Sequence, residues 1–378
     1  MKKFLSVTAL LLMVYTHASA WGYDFIYDGF AYNLNDDGSV TLTSDNDFYE
    51  SFSGPVVVPD EVPYEGQLRP VTAIDESAFY RNANITSLTI GKNVKTIGAH
   101  AFYICSSLQG TLNIPEGVTS IGNFAFGDCA QLTGVVIPKS VTSIGEYAFD
   151  DCTGLTAVYI SDIAAWCRIN FTFFWDNPLS YAHHLYLNGQ ELTDLVIPDE
   201  ITSISPCAFY QCTSLQNVTI GNGVTTIGFR SFCECSNIRT LTLGRSVSEI
   251  NEIAFYRCYA LNTVYSYPVN PPTLNDSPFA DVDFHSVTLH VPKGSKEKYD
   301  YEYPWYWCQS IVEDLDTQAN GDINNDSMVD VEDVNAAINI ILKNKSMSDY
   351  PGNGDMDGNG LIDVEDINAI INIILKVE

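Results

Sequence analysis

Leu112-Asn-Ile114-Pro115-Glu-Gly-Val118-Thr-Ser-Ile121-Gly122-Asn-Phe124-Ala125-Phe126-Gly-Asp-Cys129-Ala-Gln-Leu132 is the stretch on which the fold turns. Leu112 and Ile114 flank a polar Asn113, the period of a short strand with one buried face. Pro115 closes that strand, because it cannot continue a ladder. Val118 and Ile121 return to the core, and Gly122 is expected to permit a tight turn. Ala125 and Phe126 fill the opposite wall, where a short helical or 3₁₀ turn fits. A unit this small cannot bury its apolar face alone, whereas stacked copies can.

The same pattern runs outward in both directions. Ala-Phe recurs at Ala78-Phe79, Ala101-Phe102, Ala148-Phe149, Ala208-Phe209 and Ala254-Phe255, with Ser231-Phe232 and Pro278-Phe279 as degraded copies. From Phe79 to Phe279 the phenylalanines lie 23, 24, 23, 60, 23, 23 and 24 residues apart. That period, with recurrent Leu, Ile and Cys or Asn, predicts an α/β, strand-rich leucine-rich-repeat solenoid. Cys105, Cys129, Cys152, Cys212, Cys235 and Cys258 follow the repeat Phe by three residues, and Asn82 takes that slot in the first copy. These six are expected as buried thiols. Cys167, Cys207, Cys233 and Cys308 are off register, and any disulfide is expected to involve them.

The pattern I-P/G-x-x-V-x-x-I-G-x-x-A-F-x-x-C resembles the BspA-type leucine-rich repeats of exported bacterial surface proteins, over residues 71–315. The resemblance implies adhesion or display rather than catalysis. It also implies an N-terminal cap over 21–70, with strands such as Val40-Thr-Leu42 and Val56-Val-Val58, and a C-terminal cap from Leu289 through Trp305, Trp307 and Ile311. Caps close the exposed ends of the stack.

The long interval holds an insertion, 161–190, rich in aromatic residues. One reading makes it a platform for a sugar or protein ligand, with Trp166, Trp175, Tyr181 and the neighbouring Tyr159 as the contact surface. The other packs those rings on the solenoid flank, and it is favoured because aromatic side chains usually supply buried area. A second candidate surface follows from strand alternation, which turns Thr89, Asn113, Val136, Tyr159, Val196, Thr219, Thr242 and His290 outward. His183-His184 is a weak metal signal, since adjacent strand residues face opposite ways.

The last residues repeat a different pattern. Asp322-Ile-Asn324-Asn-Asp326-Ser-Met328-Val-Asp330-Val-Glu-Asp333 and Asp355-Met-Asp357-Gly-Asn359-Gly-Leu361-Ile-Asp363-Val-Glu-Asp366 start 33 residues apart. Each sets oxygen side chains at loop positions 1, 3, 5, 9 and 12, the spacing of a calcium loop. A helix follows each loop, with apolar stripes Val334, Ala337, Ile338, Ile341, Leu342 and Ile367, Ile370, Ile371, Ile374, Leu375 that should pack together. The duplicated loop and helix, over 316–378, resembles a type I dockerin, a small all-α calcium-binding domain. Dockerins use Asp rather than Glu at position 12, as Asp333 and Asp366 do here. The resemblance implies two calcium ions. The first is held by Asp322, Asn324, Asp326, the Met328 carbonyl, Asp330 and Asp333; the second by Asp355, Asp357, Asn359, the Leu361 carbonyl, Asp363 and Asp366. It further implies docking to a cohesin-like module. Positions 10 and 11, hydroxyl-bearing contact residues in clostridial dockerins, are Val331-Glu332 and Val364-Glu365 here. Ser327 replaces the usual Gly at position 6 of the first loop.

The formal net charge of −29 leaves no basic stripe to displace counterions, which argues against nucleic acid and anionic lipid as partners. Lys2-Lys3, the apolar run Phe4 to Val14 and Ala18-Ser19-Ala20 predict a signal peptide over 1–20. With no second long apolar stretch, a secreted or cell-surface protein without membrane insertion is expected. The leading expectation is a non-enzymatic binding or adhesion protein with an unidentified glycan or protein ligand. The alternative is a dockerin-borne accessory subunit or enzyme of polysaccharide degradation, hydrolysing O-glycosyl bonds. Neither paired carboxylates nor a nucleophilic triad can be assigned for that alternative.

Overall fold

The computed structural model describes residues 22–44, 52–315, 321–324, 328–342, 354 and 362–375. The leader expected over 1–20 lies outside them. The chain divides into two compact units, one of residues up to Leu192 with Ser205–Ser214 and Arg230–Cys233, the other of Thr193–Ile204, Leu215–Phe229 and everything from Glu234.

In the first unit, strands Phe25–Tyr27, Phe30–Leu34 and Val40–Thr43 form an antiparallel meander. Its last strand pairs in parallel with Gln67–Ile74, and the dipeptide strands Thr96–Ile97, Ser120–Ile121 and Ser143–Ile144 extend the sheet. The hydrophobic alternation sets this register: Ile74, Ile97, Ile121 and Ile144 are all buried. A second parallel sheet runs through Gly110–Asn113, Leu132–Val136, Ala157–Ile160 and Leu185–Leu187, and antiparallel Gln190–Glu191 closes it. The second unit repeats the scheme. Asp194–Ile197, Asn217–Ile220, Thr240–Leu243, Thr263–Ser266, Thr288–Pro292 and Ser310–Leu315 form one parallel sheet. Ser203–Ile204, Thr226–Ile227, Glu249–Ile250 and Thr273–Leu274 form another.

The Ala-Phe wall is made of turns, not of the expected helical segments. The residues two before and two after each repeat Phe hold left-handed backbone, as at His100 (φ 56°) and Ile104 (φ 62°), or Phe124 (φ 55°) and Asp128 (φ 58°). A right-handed helix cannot pass through such residues. In exchange, alternate N–H groups point to the next turn: His100, Phe102 and Ile104 donate to Asn123, Ala125 and Gly127 carbonyls. Inside this wall the rings of Phe79, Phe102, Phe126 and Phe149 stack with centroids 5.0, 5.2 and 5.5 Å apart. Gly122 is needed for a different reason from the one expected. A Cβ there would lie 2.5 Å from the Ala99 nitrogen, so the glycine lets neighbouring turns approach.

The repeat cysteines satisfy backbone. Cys105, Cys129 and Cys152 thiols donate to the carbonyls of Phe79, Phe102 and Phe126 at 3.3, 3.3 and 3.1 Å. Asn82, in the same slot, accepts from the Phe52 N–H at 3.1 Å. No disulfide joins the described cysteines, Cys167, Cys207, Cys233 and Cys308 included. Burial pushes the thiols of Cys105, Cys152, Cys167, Cys207 and Cys308 from an ordinary 9.0 up to about 12. That cuts their thiolate fraction about a thousandfold. A chromogenic disulfide reagent should therefore find almost no reactive thiol in the native chain at mildly alkaline pH, and ten in concentrated guanidinium. Rapid native titration of several thiols would contradict this burial.

Candidate functional site

The insertion does the hydrogen-bonding work of a missing turn. The last regular turn before it offers N–H groups that need acceptors, and no Ala-Phe copy follows to supply them. Asp176, buried, fills the gap: its carboxylate accepts from Tyr147 N at 2.9 Å and from Phe173 N at 2.6 Å. Burial raises this carboxyl above its usual range, and the backbone donors pull it back. Tyr181 accepts from Asp151 N at 2.9 Å and donates to Asp150 at 2.7 Å, and burial and this acid hold its phenol up to about 12. On the far side, Ala208 presents the carbonyl that a repeat Phe N–H would have taken. The Trp166 indole N–H donates to it at 2.8 Å and the Asn177 amide at 3.0 Å.

Trp166 is accordingly 1% exposed, which removes it from any ligand surface. The helix Ile163–Arg168 turns it inward because Asp162 caps the helix through Ala165 N. Trp175 is partly exposed, but its ring extends a flank stack of His100, Phe124 and Tyr147, and Phe174 lies 3.7 Å away on centroids. Tyr159 does face outward, tilted against Tyr186 at 5.0 Å. Burial thus takes Trp166 out of the expected surface, while Trp175, Tyr159 and Tyr181 keep exposed area. His183 caps the helix Leu179–Ala182 with left-handed backbone, and His184 pairs with Glu191 at 2.5 Å.

The strand-alternation surface survives in better order. None of Thr89, Asn113, Val136, Tyr159, Val196, Thr219, Thr242 and His290 is buried. In the second unit, register aligns Val196, Thr219, Thr242, Tyr265 and His290 in one column across successive strands. Where these strands turn, a groove of about 470 Å³ opens, lined by Val196, Thr219, Thr242, Asp199, Asn222, Arg245 and Tyr267 among others. Asp199, Asn222 and Arg245 sit one repeat apart and lock each other: Asn222 N donates to Asp199 at 2.7 Å, and Arg245 N to Asn222 at 3.1 Å. The Arg245 guanidinium lies 5.1 Å from the Tyr267 ring centroid. Alternation pointed to Val196, Thr219 and Thr242. Alternation does not reach the turn residues Asp199, Asn222 and Arg245, although their 23-residue spacing is a usable signal.

In the C-terminal segment, helices Val331–Ile341 and Val364–Leu375 are described. Ile323, Ala336, Ala337 and Ile370 form a buried core, with Val334, Ile340, Ile367 and Ile374 packed around it. Ile338, Leu342 and Leu375 from the expected stripes are instead exposed. Asp322, Asp333 and Asp366 are buried. Asp333 accepts from Ile323 N at 2.8 Å, Asn324 N at 3.2 Å and Asp330 N at 2.9 Å, closing the first loop upon its last position. Asp366 accepts from Asp363 N at 2.8 Å, the matching bond of the second copy. Asp326, Asp355, Asp357, Asn359 and Leu361 lie outside the described residues, as does the Glu365 side chain. Among the described residues, no three His, Cys, Asp or Glu side chains group as metal ligands.

The sequence profile of the BspA type leucine rich repeat region matches residues 72–182 and 180–303, in six copies. The chain belongs to the BspA-type leucine-rich-repeat family. Solved structures similar to it include a T. pallidum leucine-rich repeat protein, 24% identical, covering 61% of this chain and 87% of that one, with a TM-score of 0.36. A leucine-rich repeat protein from Bacteroides capillosus is 31% identical and covers 35% and 94%, with a TM-score of 0.31. A leucine rich cell surface protein from Faecalibacterium prausnitzii is 19% identical and covers 78% and 98%, with a TM-score of 0.31. No curated protein matches the chain. The groove residues Val196 to Tyr267 fall within the matched BspA-type repeats, while Asp322 to Asp366 lie beyond them. Among the described residues no helix is long and apolar enough to cross a membrane.

Proposed function

We propose that this BspA-type protein is a non-enzymatic binding protein of the cell exterior. Its solenoid holds a ligand on the outward strand face, and its tail is a dockerin that closes on two calcium ions and docks to a cohesin-like module. The observation that carries the docking reading is the twofold repetition of the tail. Asp330 with Asp333, and Asp363 with Asp366, open the two helices through the same backbone-to-carboxylate bond. Each helix region then leaves a matching exposed apolar pair, Val331 with Leu342 and Val364 with Leu375. Eleven residues is about three helical turns, so each pair shares one side of its helix. Duplicated exposed apolar surface of this kind suits a protein partner.

Calcium fits the donor chemistry. The described members of the two loops offer hard oxygen donors, among them the buried carboxylates of Asp322, Asp333 and Asp366. Asp322, Asn324, Asp330 and Asp333 would serve the first ion, Asp363 and Asp366 the second. The bound cation would supply charge compensation and loop order. The F. prausnitzii relative is described as a cell surface protein, which suits a reading as an exported molecule. The test is capture of cohesin-like modules by the full chain. Binding with calcium and release by chelator is expected; capture indifferent to chelator, or none with any module tried, speaks against docking.

A further inference from the structure

We propose that the groove over Val196, Thr219 and Thr242 takes a linear, neutral oligosaccharide. This rests on the reading of the solenoid as a binding surface and names the ligand class. Hydroxyls on the repeat turns are consumed by the protein at several positions: Thr225 donates to the Thr202 carbonyl, Ser248 to that of Thr225 and Thr142 to that of Thr119. Thr219 and Thr242 make no such bond among the described residues and line the groove instead. Beside them, one carboxylate oxygen of Asp199 and the carbonyl oxygen of Asn222 are held by backbone N–H groups. That fixes two planar polar side chains at the groove edge. Tyr267, backed by Arg245, gives an aromatic surface at one end, and Val196, 61% exposed, an apolar one at the other.

Competing ligands fit less well. An extended peptide gains affinity by adding to a sheet edge. Here the floor strands Asn217–Ile220 and Thr240–Leu243 are paired on both sides and offer only side chains, while Asp194–Ile197, at the Val196 end, is the edge strand of the sheet. A polyanion would meet a chain of net charge −29 and the Asp199 carboxylate. A molecule dense in hydroxyls, with apolar ring faces, matches hydroxyl, amide and carboxylate partners alternating with an aromatic ring. The groove crosses three successive strands and its volume falls within the range of small-ligand sites.

The experiment is calorimetry of the full chain with cellohexaose, xylohexaose, mannohexaose and polygalacturonate. At least one neutral hexasaccharide should bind. Tyr267→Ala, and the isosteric pair Thr219→Val with Thr242→Val, should each weaken it roughly tenfold while thermal melting stays unchanged. No neutral binding at millimolar ligand, binding of polygalacturonate alone, or binding untouched by both variants would overturn the inference. If cohesin-like modules are still captured with calcium while no sugar binds, only the glycan assignment fails. If sugar binds without such capture, the docking reading fails instead.

Discussion

Trp166→Ala should lower the stability of the solenoid around the insertion by about 3–5 kcal/mol, the usual cost of truncating a buried large aromatic residue. Its ring packs on Phe171 at 5.4 Å, and its N–H reaches the Ala208 carbonyl at 2.8 Å. Both losses fall where a regular turn is missing, so no neighbouring Ala-Phe copy can compensate. Trp166→Phe keeps most of the volume and deletes the N–H. It should cost less, about 1–2 kcal/mol, because Asn177 still donates to Ala208. Combining it with Asn177→Ala should cost more than the sum, since the carbonyl then has neither donor. Stacked repeats open locally, so urea melting should be paired with limited proteolysis across 161–190. A Trp166→Ala midpoint no lower than that of the exposed control Val196→Ala would contradict the surrogate-turn reading.

The second large effect is expected at Asp333. Alanine there orphans the N–H groups of Ile323, Asn324 and Asp330 at once, and Ile323 belongs to the small core beneath both helices. The buried Ile323 donor costs about 1–3 kcal/mol when stranded, and the part-buried Asn324 and Asp330 donors cost less. A two-helix core of this size has little stability to spare. Hydrogen exchange at the amides of Val331–Ile341 should therefore collapse toward unprotected rates in Asp333→Ala. Asp333→Asn keeps an acceptor oxygen but removes charge. It should preserve part of the protection while weakening calcium-dependent docking, which separates the capping role from the cation role. Full protection in Asp333→Ala would show that the carboxylate does not organise the loop.

The periodic part of the molecule was legible because burial there is a column property. Phe79 to Phe149, the cysteines after them and Ile97 to Ile144 each occupy one position in every copy, so spacing alone placed them inside. The insertion was opaque for the complementary reason. Asp176, Asn177 and Trp166 act on backbone groups of distant turns, at Tyr147 and Ala208, and no local pattern encodes that reach. The turns of the Ala-Phe wall were equally hidden, because His100, Phe124 and Tyr147 adopt left-handed backbone without being Gly or Asn. In the tail the ligand-type carboxylates could be read from spacing. That Asp333 is held by three backbone donors could not, since hydrogen-bond partners depend on how the loop closes.

The central claim is that the duplicated tail loops bind calcium and thereby serve as the docking device. Calorimetric titration of the full chain with calcium, alongside the double variant Asp333→Asn with Asp366→Asn, tests it most directly. Two ions taken up per chain, with both uptakes weakened in the variant, is the predicted result. No uptake at millimolar calcium, or identical uptake by the two proteins, would contradict it.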